Sequence, residues 1–224
     1  MYYKHMSDMP VLTEEFKTRL VQQATKSFMQ DRENRLLNPR KQRLFQRHYR
    51  RFESQNRDTL NFIVPEDMEF YEKSGDITAV YIDDAMHDEV LSFFKATNHP
   101  IANKFNKYMF LFVNGGNRCV PHVDDASKRK NSFQLLLKSG GTNTTTAYYE
   151  PRREYETLPI IDYCAIPYNK LDLQVQVRLE ENNWYWMKTD KIHSVEGLES
   201  LRIFLVAIVT GLCDVEHLLE ESSQ

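Results

Sequence analysis

"LDLQVQVRLEENNWYWMKTDKIHSVEGLESLRIFLVAIV", residues 171–209, decides what kind of fold this chain can have. Its first nine residues, 171–179, alternate apolar and polar, as a strand with one wet face does. The turn residues "EENN" follow, and then three runs rich in branched and aromatic side chains: "WYWMKT" (184–189), "IHSVE" (192–196) and "LRIFLVAIV" (201–209). The stretch "EGLES" between the last two predicts a hairpin. Strands this closely spaced leave no room for the helices of an α/β fold.

The same pattern extends upstream. "ITAVYI" (77–82), "YMFLFV" (108–113), "SFQLLL" (132–137) and "TTAYYE" (145–150) read as strands, with turn chemistry at "NGGN" (114–117) and "SGGTN" (139–143). The expected fold is mainly β with flanking helices, a sandwich or jelly roll. One helix is predicted from Thr13 to about Gln30, with Phe16, Leu20, Ala24 and Phe28 on one face. Thr13 caps it, and Glu14 and Glu15 suit the positive end of its dipole. A second is predicted over 86–96, with Val90, Phe93 and Phe94 inward, and a short acidic one over "DVEHLLEES" near the C-terminus. Residues 1–75 are therefore read as helical elements packed on a β-core formed by 76–224.

With 224 residues, 41% hydrophobic and 27% charged, the chain has the composition of a globular domain. A net charge of -3 argues against a protein that binds nucleic acid through its overall charge. "MYYKHMSDMP" has no apolar signal core and no run approaches a membrane span, so a soluble, cytoplasmic protein without a membrane partner is expected. Cys119, Cys164 and Cys213 are widely spaced and read as reduced thiols.

"CVPHVDDAS" (119–127) carries the chemistry. On a strand, His122 and Asp124 project from one face while Val123 points away. An imidazole beside a carboxylate supplies two ligands of a two-histidine, one-carboxylate metal triad, which needs one more histidine from a distant strand. His193, 69 positions after Asp124 (193 − 124), is the candidate. Nine residues beyond it, Arg202 sits among hydrophobic neighbours, where a guanidinium is costly unless it meets an anion.

His-x-Asp, a distal "HSV" and an arginine on the following strand resemble the Fe(II)/2-oxoglutarate-dependent dioxygenases, over roughly residues 105–210. The nearest in character are prolyl- and aspartyl-hydroxylase-like members, and "SFQLLL…TTTAYYE" also resembles oxygenases carried by bacterial viruses. The resemblance implies a double-stranded β-helix (a jelly roll, cupin-like). It implies Fe(II) held by His122, Asp124 and His193, and 2-oxoglutarate as co-substrate with Arg202 pairing with its far carboxylate. It further implies hydroxylation of an unactivated C–H bond, with 2-oxoglutarate and O₂ converted to succinate and CO₂. The histidine-to-arginine interval is one residue shorter than the commonest. Phe204 stands where many members carry a serine that helps hold the carboxylate, so another residue must assist Arg202, and Tyr108 is the candidate.

The substrate is not readable: small molecule, amino acid or peptide, and nucleobase all remain open. The arginine-rich stretch 35–58, with Arg43, Arg47, Arg50 and Arg51 around Leu44, Phe45, Tyr49 and Phe52, could track phosphates. The preferred reading is an amphipathic helix with a solvated basic side. "DASKRKN" (125–131) and residues 150–169 are expected loops beside the site, with Lys128, Arg152, Arg153 and Tyr155 as candidate substrate contacts. The alternatives to an oxygenase are a non-catalytic jelly-roll module that binds a ligand or metal, and a nucleic-acid-associated protein using 35–58.

Overall fold

A computed structural model describes residues 1–37, 77–113, 119–124, 131–156, 166 and 168–208. The expectations placed on 38–58, on "NGGN", on Lys128, Cys164 and Cys213 and on the C-terminal helix lie outside these residues.

Ten strands and two long helices follow in order: β1 (Tyr3–His5), α1 (Glu14–Leu37), β2 (Ile77–Tyr81), α2 (Asp84–Ala96), β3 (Lys107–Val113), β4 (Cys119–His122), β5 (Asn131–Lys138), β6 (Thr145–Pro151), β7 (Leu171–Val177), β8 (Trp184–Lys188), β9 (Ile192–Glu196) and β10 (Arg202–Ile208). They form two antiparallel sheets, a six-stranded one ordered β1-β8-β5-β10-β3-β2 and a four-stranded one ordered β4-β9-β6-β7. From β3 to β10 the chain changes sheet at every connection except β6 to β7. That alternation is the winding of a double-stranded β-helix, and the fold is a jelly roll with flanking helices.

Three sequence expectations need correction. "EGLES" is not a hairpin turn, because β9 and β10 belong to different sheets. Its amide groups go elsewhere: Glu199 and Ser200 N–H both donate to the Gly140 carbonyl, at 2.9 and 2.7 Å. Gly197, at φ +66°, steers the chain across.

The alternation of 171–177 also does not place its apolar residues on one face. Tyr148 pairs with Val175 and Tyr149 with Leu173, so a bulge at Gln174 flips the strand. Val175 and Val177 face the interior, while Leu171 joins an outer cluster with Tyr149 and Leu173 is exposed.

Nor are the described residues of 1–75 helical throughout. β1 pairs with β8, with Tyr3 opposite Met187, and so belongs to the larger sheet. Met6, Phe16 and Leu20 share one core with Phe94, Trp184 and Leu205.

The helices cover the outer face of the larger sheet. Phe16, Leu20, Ala24 and Phe28 of α1 are buried as their spacing predicts, and Thr13 Oγ1 accepts from Phe16 N–H at 3.2 Å. α2 starts two residues before the predicted point, where Asp83 accepts from Met86 N–H at 3.0 Å. Val90 and Phe94 are buried beneath it. Inner-face residues Leu136, Tyr148, Tyr185, Met187, Phe204 and Val206 pack between the sheets.

A Cβ at Gly197 would lie 2.6 Å from the Asn143 carbonyl oxygen. Gly197→Ala should therefore destabilise the fold by more than the ~1–2 kcal/mol of a left-handed backbone alone. The check is a lowered urea midpoint at unchanged m-value.

Candidate metal centre

β4 and β9 pair antiparallel with His122 directly opposite His193. Directly opposed residues share a face, and on the next strand Tyr148 is opposite His193 and faces the same way. The histidine rings sit 4.5 Å apart between centroids. β4 ends at His122, and the two residues that follow carry Asp124 to the same place, anchored by its N–H donating to the Thr189 carbonyl at 3.0 Å. Asp124 Oδ1 lies 3.5 Å from His122 Nε2. One ligand atom each from His122, Asp124 and His193 falls within 4.8 Å of the others, so the fold gathers the three residues picked from sequence.

The histidines are oriented from behind. His193 Nδ1 lies 2.8 Å from the Lys191 carbonyl, which can only accept, so Nδ1 carries the proton and Nε2 presents its lone pair. His122 Nδ1 has the Cys119 sulfur at 3.8 Å, leaving Nε2 toward Asp124. Burial disfavours a charge on His122, but Cys119 and Asp124 outweigh it and raise the pKa well above the ordinary value. His193 moves the other way, down to about 4, through burial first and then the neighbouring His122. His193 is thus a neutral imidazole at neutral pH, as a metal ligand must be. Two nitrogens and a carboxylate oxygen suit a divalent cation with one side of its coordination sphere left open.

Arg202 opens β10 opposite Val113 and is 1% exposed. Its Nη2 donates to Thr146 Oγ1 at 3.3 Å, across the space between the sheets. Nε and Nη1 are buried and have no hydrogen-bond partner among the described residues. Burial lowers the pKa to about 10, with Cys119 and Tyr185 pulling the other way. Because this lies below the unfolded-state value, the unfolded chain holds the proton more tightly. The cost to the fold is then present in full below about pH 10 and disappears as pH rises through the unfolded value. Thr146 is two residues from Tyr148 on the same face, about 7 Å along the strand, and Tyr148 faces His193. An unpaired guanidinium edge therefore shares one interior with the ligand set.

Tyr108 is not the partner of Arg202. Val113, opposite Arg202, sets the interior parity of β3, so Met109 and Leu111 line the interior and Tyr108 points to the helices. Its ring lies 5.6 Å from that of Phe94. Thr146 is the residue missed from sequence. Its position in "TTTAYYE" gives no signal until the pairing with β9 is known. Arg152, Arg153 and Tyr155 lie at the turn after β6, where Arg152 Nε is 3.3 Å from Asp172.

No family model matches the chain, and no curated protein does. Among solved structures it is similar to the ribosomal oxygenase YcfD from Escherichia coli in complex with cobalt and 2-oxoglutarate, at 14% identity and TM-score 0.32, over 61% of this chain and 32% of that one. It is also similar to SnoN, a non-heme alpha-ketoglutarate-dependent epimerase from nogalamycin biosynthesis, at 13% identity and TM-score 0.36, over 59% of this chain and 60% of that one. The chain thus spans about a third of YcfD. What the centre can do follows from its own residues. No helix among those described is long and apolar enough to cross a membrane.

Replacing an uncompensated buried charge with an apolar side chain of similar length should stabilise the metal-free protein. Arg202→Met is expected to raise its unfolding free energy by about 1–4 kcal/mol. Chemical denaturation without added ligands checks this, and a large loss of stability would mean the charge is already compensated.

Proposed function

We propose that this chain is an Fe(II)/2-oxoglutarate-dependent oxygenase that hydroxylates an unactivated C–H bond. The observation that carries the reading is the pair of unpartnered, buried donors on Arg202, inside the same sandwich as the His122, Asp124 and His193 set. An interior guanidinium with a free edge calls for an oxyanion, and a planar carboxylate matches its fork. A dicarboxylate able to reach both the guanidinium and a metal ion is the simplest ligand that satisfies the whole interior.

His122, Asp124 and His193 would hold Fe(II), and Arg202 with the Thr146 hydroxyl would hold the far carboxylate of 2-oxoglutarate. Bound together, iron and co-substrate activate O₂, with succinate and CO₂ as co-products. The protein fixes the rest. Lys191 and Cys119 keep the two imidazoles pointed inward. The Phe204 ring, with the Arg202 Cζ 4.8 Å from its centroid, and Leu136 opposite Phe204 keep that side of the guanidinium apolar, which strengthens its grip on an anion.

The test is an anaerobic titration of the metal-stripped protein with Fe(II), then 2-oxoglutarate, watching for the visible charge-transfer absorption of an iron-chelated keto acid. The band should need both additions and vanish in Asp124→Ala. Thr146→Val should raise the 2-oxoglutarate requirement by roughly tenfold or more, the worth of one charge-assisted hydrogen bond, and Arg202→Met by still more. A folded protein that gives no band is not an oxygenase of this kind, and a ligand-binding module would then be the better description.

A further inference from the structure

Beside the metal-ligand set lies a second group of polar atoms that the ligation does not use. Tyr148 is completely buried and its hydroxyl has no hydrogen-bond partner among the described residues. Its ring is clasped, with Tyr2 stacked at 5.3 Å on one side and His193 at 6.0 Å on another. Tyr2 is fixed in turn by its hydroxyl donating to Glu150 at 2.6 Å. The Tyr148 hydroxyl therefore cannot swing away to find water. Asp190 lies three residues before His193, next to Thr189, whose carbonyl anchors Asp124. One oxygen of its carboxylate, Oδ1, is also buried without a donor. Burial raises the pKa of the Tyr148 hydroxyl, and the negative charges of Asp124 and then Asp190 add to the rise.

A buried carboxylate oxygen and a buried hydroxyl, both without partners, lack the same thing. They need N–H donors, and preferably a positive charge. Asp124 Oδ1 has His122 Nε2 at 3.5 Å, whereas Asp190 Oδ1 has no donor among the described residues. An anionic or purely apolar substrate would leave Asp190 Oδ1 without a donor.

We infer that Asp190 and Tyr148 form a cation subsite beside the metal centre, so that the substrate carries a cationic nitrogen, ammonium or guanidinium, donating to Asp190 Oδ1 and the Tyr148 hydroxyl. This rests on the oxygenase reading only for what is done to the bound molecule, because the binding itself needs no iron. Held there, the substrate's carbon chain would lie beside the metal without ligating it.

The experiment is ligand-observed NMR on the full chain, with and without Fe(II) and 2-oxoglutarate under anaerobic conditions. The ligands are n-butylammonium and n-butylguanidinium, each against its uncharged counterpart, 1-butanol and n-butylurea. Acetylated, amidated lysine is included to distinguish a side chain of a peptide from a free amine. At least one cation should bind about tenfold or more tightly than its neutral counterpart, Asp190→Asn should abolish that preference, and Tyr148→Phe should weaken cation binding by roughly three- to tenfold. Both variants should keep the wild-type charge-transfer band with Fe(II) and 2-oxoglutarate, since neither residue belongs to the ligand set. Equal binding of charged and neutral ligands, no binding of either cation, or a preference that survives Asp190→Asn in folded protein would overturn the inference. A missing band with the Asp190-dependent preference intact would end the oxygenase reading and leave the cation subsite standing.

Discussion

The antiparallel register of β4 against β9, which sets His122 opposite His193, is the constraint on which the rest of the centre depends. Shifting either strand by one residue would turn its histidine to the other face of the smaller sheet. That register is held on both sides of the histidines: β6 pairs along the whole of β9, and the Thr189 carbonyl fixes the backbone of Asp124 just past β4. Because β9 lies between β4 and β6, a single sheet supplies two candidate metal ligands, Tyr148 and Thr146. The opposite sheet supplies Arg202, whose contact with Thr146 spans the interior.

This interior is organised around unmet needs. Nε and Nη1 of Arg202, the Tyr148 hydroxyl and one oxygen of Asp190 are all buried without partners among the described residues, in a domain whose apolar core is densely aromatic. Leaving such groups unsatisfied lowers stability. The two sheets can bear it because the larger is backed by α1 and α2, with Phe94, Phe105, Tyr108 and Trp184 forming a continuous aromatic layer. Unmet polar groups are also buried on the helix side, at the Tyr108 hydroxyl and Trp186 Nε1, within that aromatic core.

Much of this was legible in the sequence, for local reasons. Strand periodicity marked β3, β5, β6 and β8 to β10, and helical spacing marked the buried face of α1. His122 and Asp124 stood out by their spacing, and Arg202 by its apolar surroundings. What escaped was set by pairing across long separations. The crossing at 197–201 looks like a hairpin turn until β9 and β10 are known to lie in different sheets. Tyr108 and Thr146 exchange places as the candidate partner of Arg202 because the parity of β3 is set by Val113 opposite Arg202. The bulge at Gln174 leaves no trace in an alternation that is perfect on paper. β1 is too short for any periodicity to reveal.

That short strand has a consequence for the order of assembly. Tyr3 pairs with Met187, 184 positions away (187 − 3), and Tyr2 stacks on Tyr148. Contacts of such sequence separation are slow to close. During synthesis Tyr2 and Tyr3 have no strand to join until β8 has been made. The wall that Tyr2 builds against Tyr148 is therefore among the last parts of the interior to form. The helix-covered face waits as well, because β10 lies between β5 and β3 in the larger sheet.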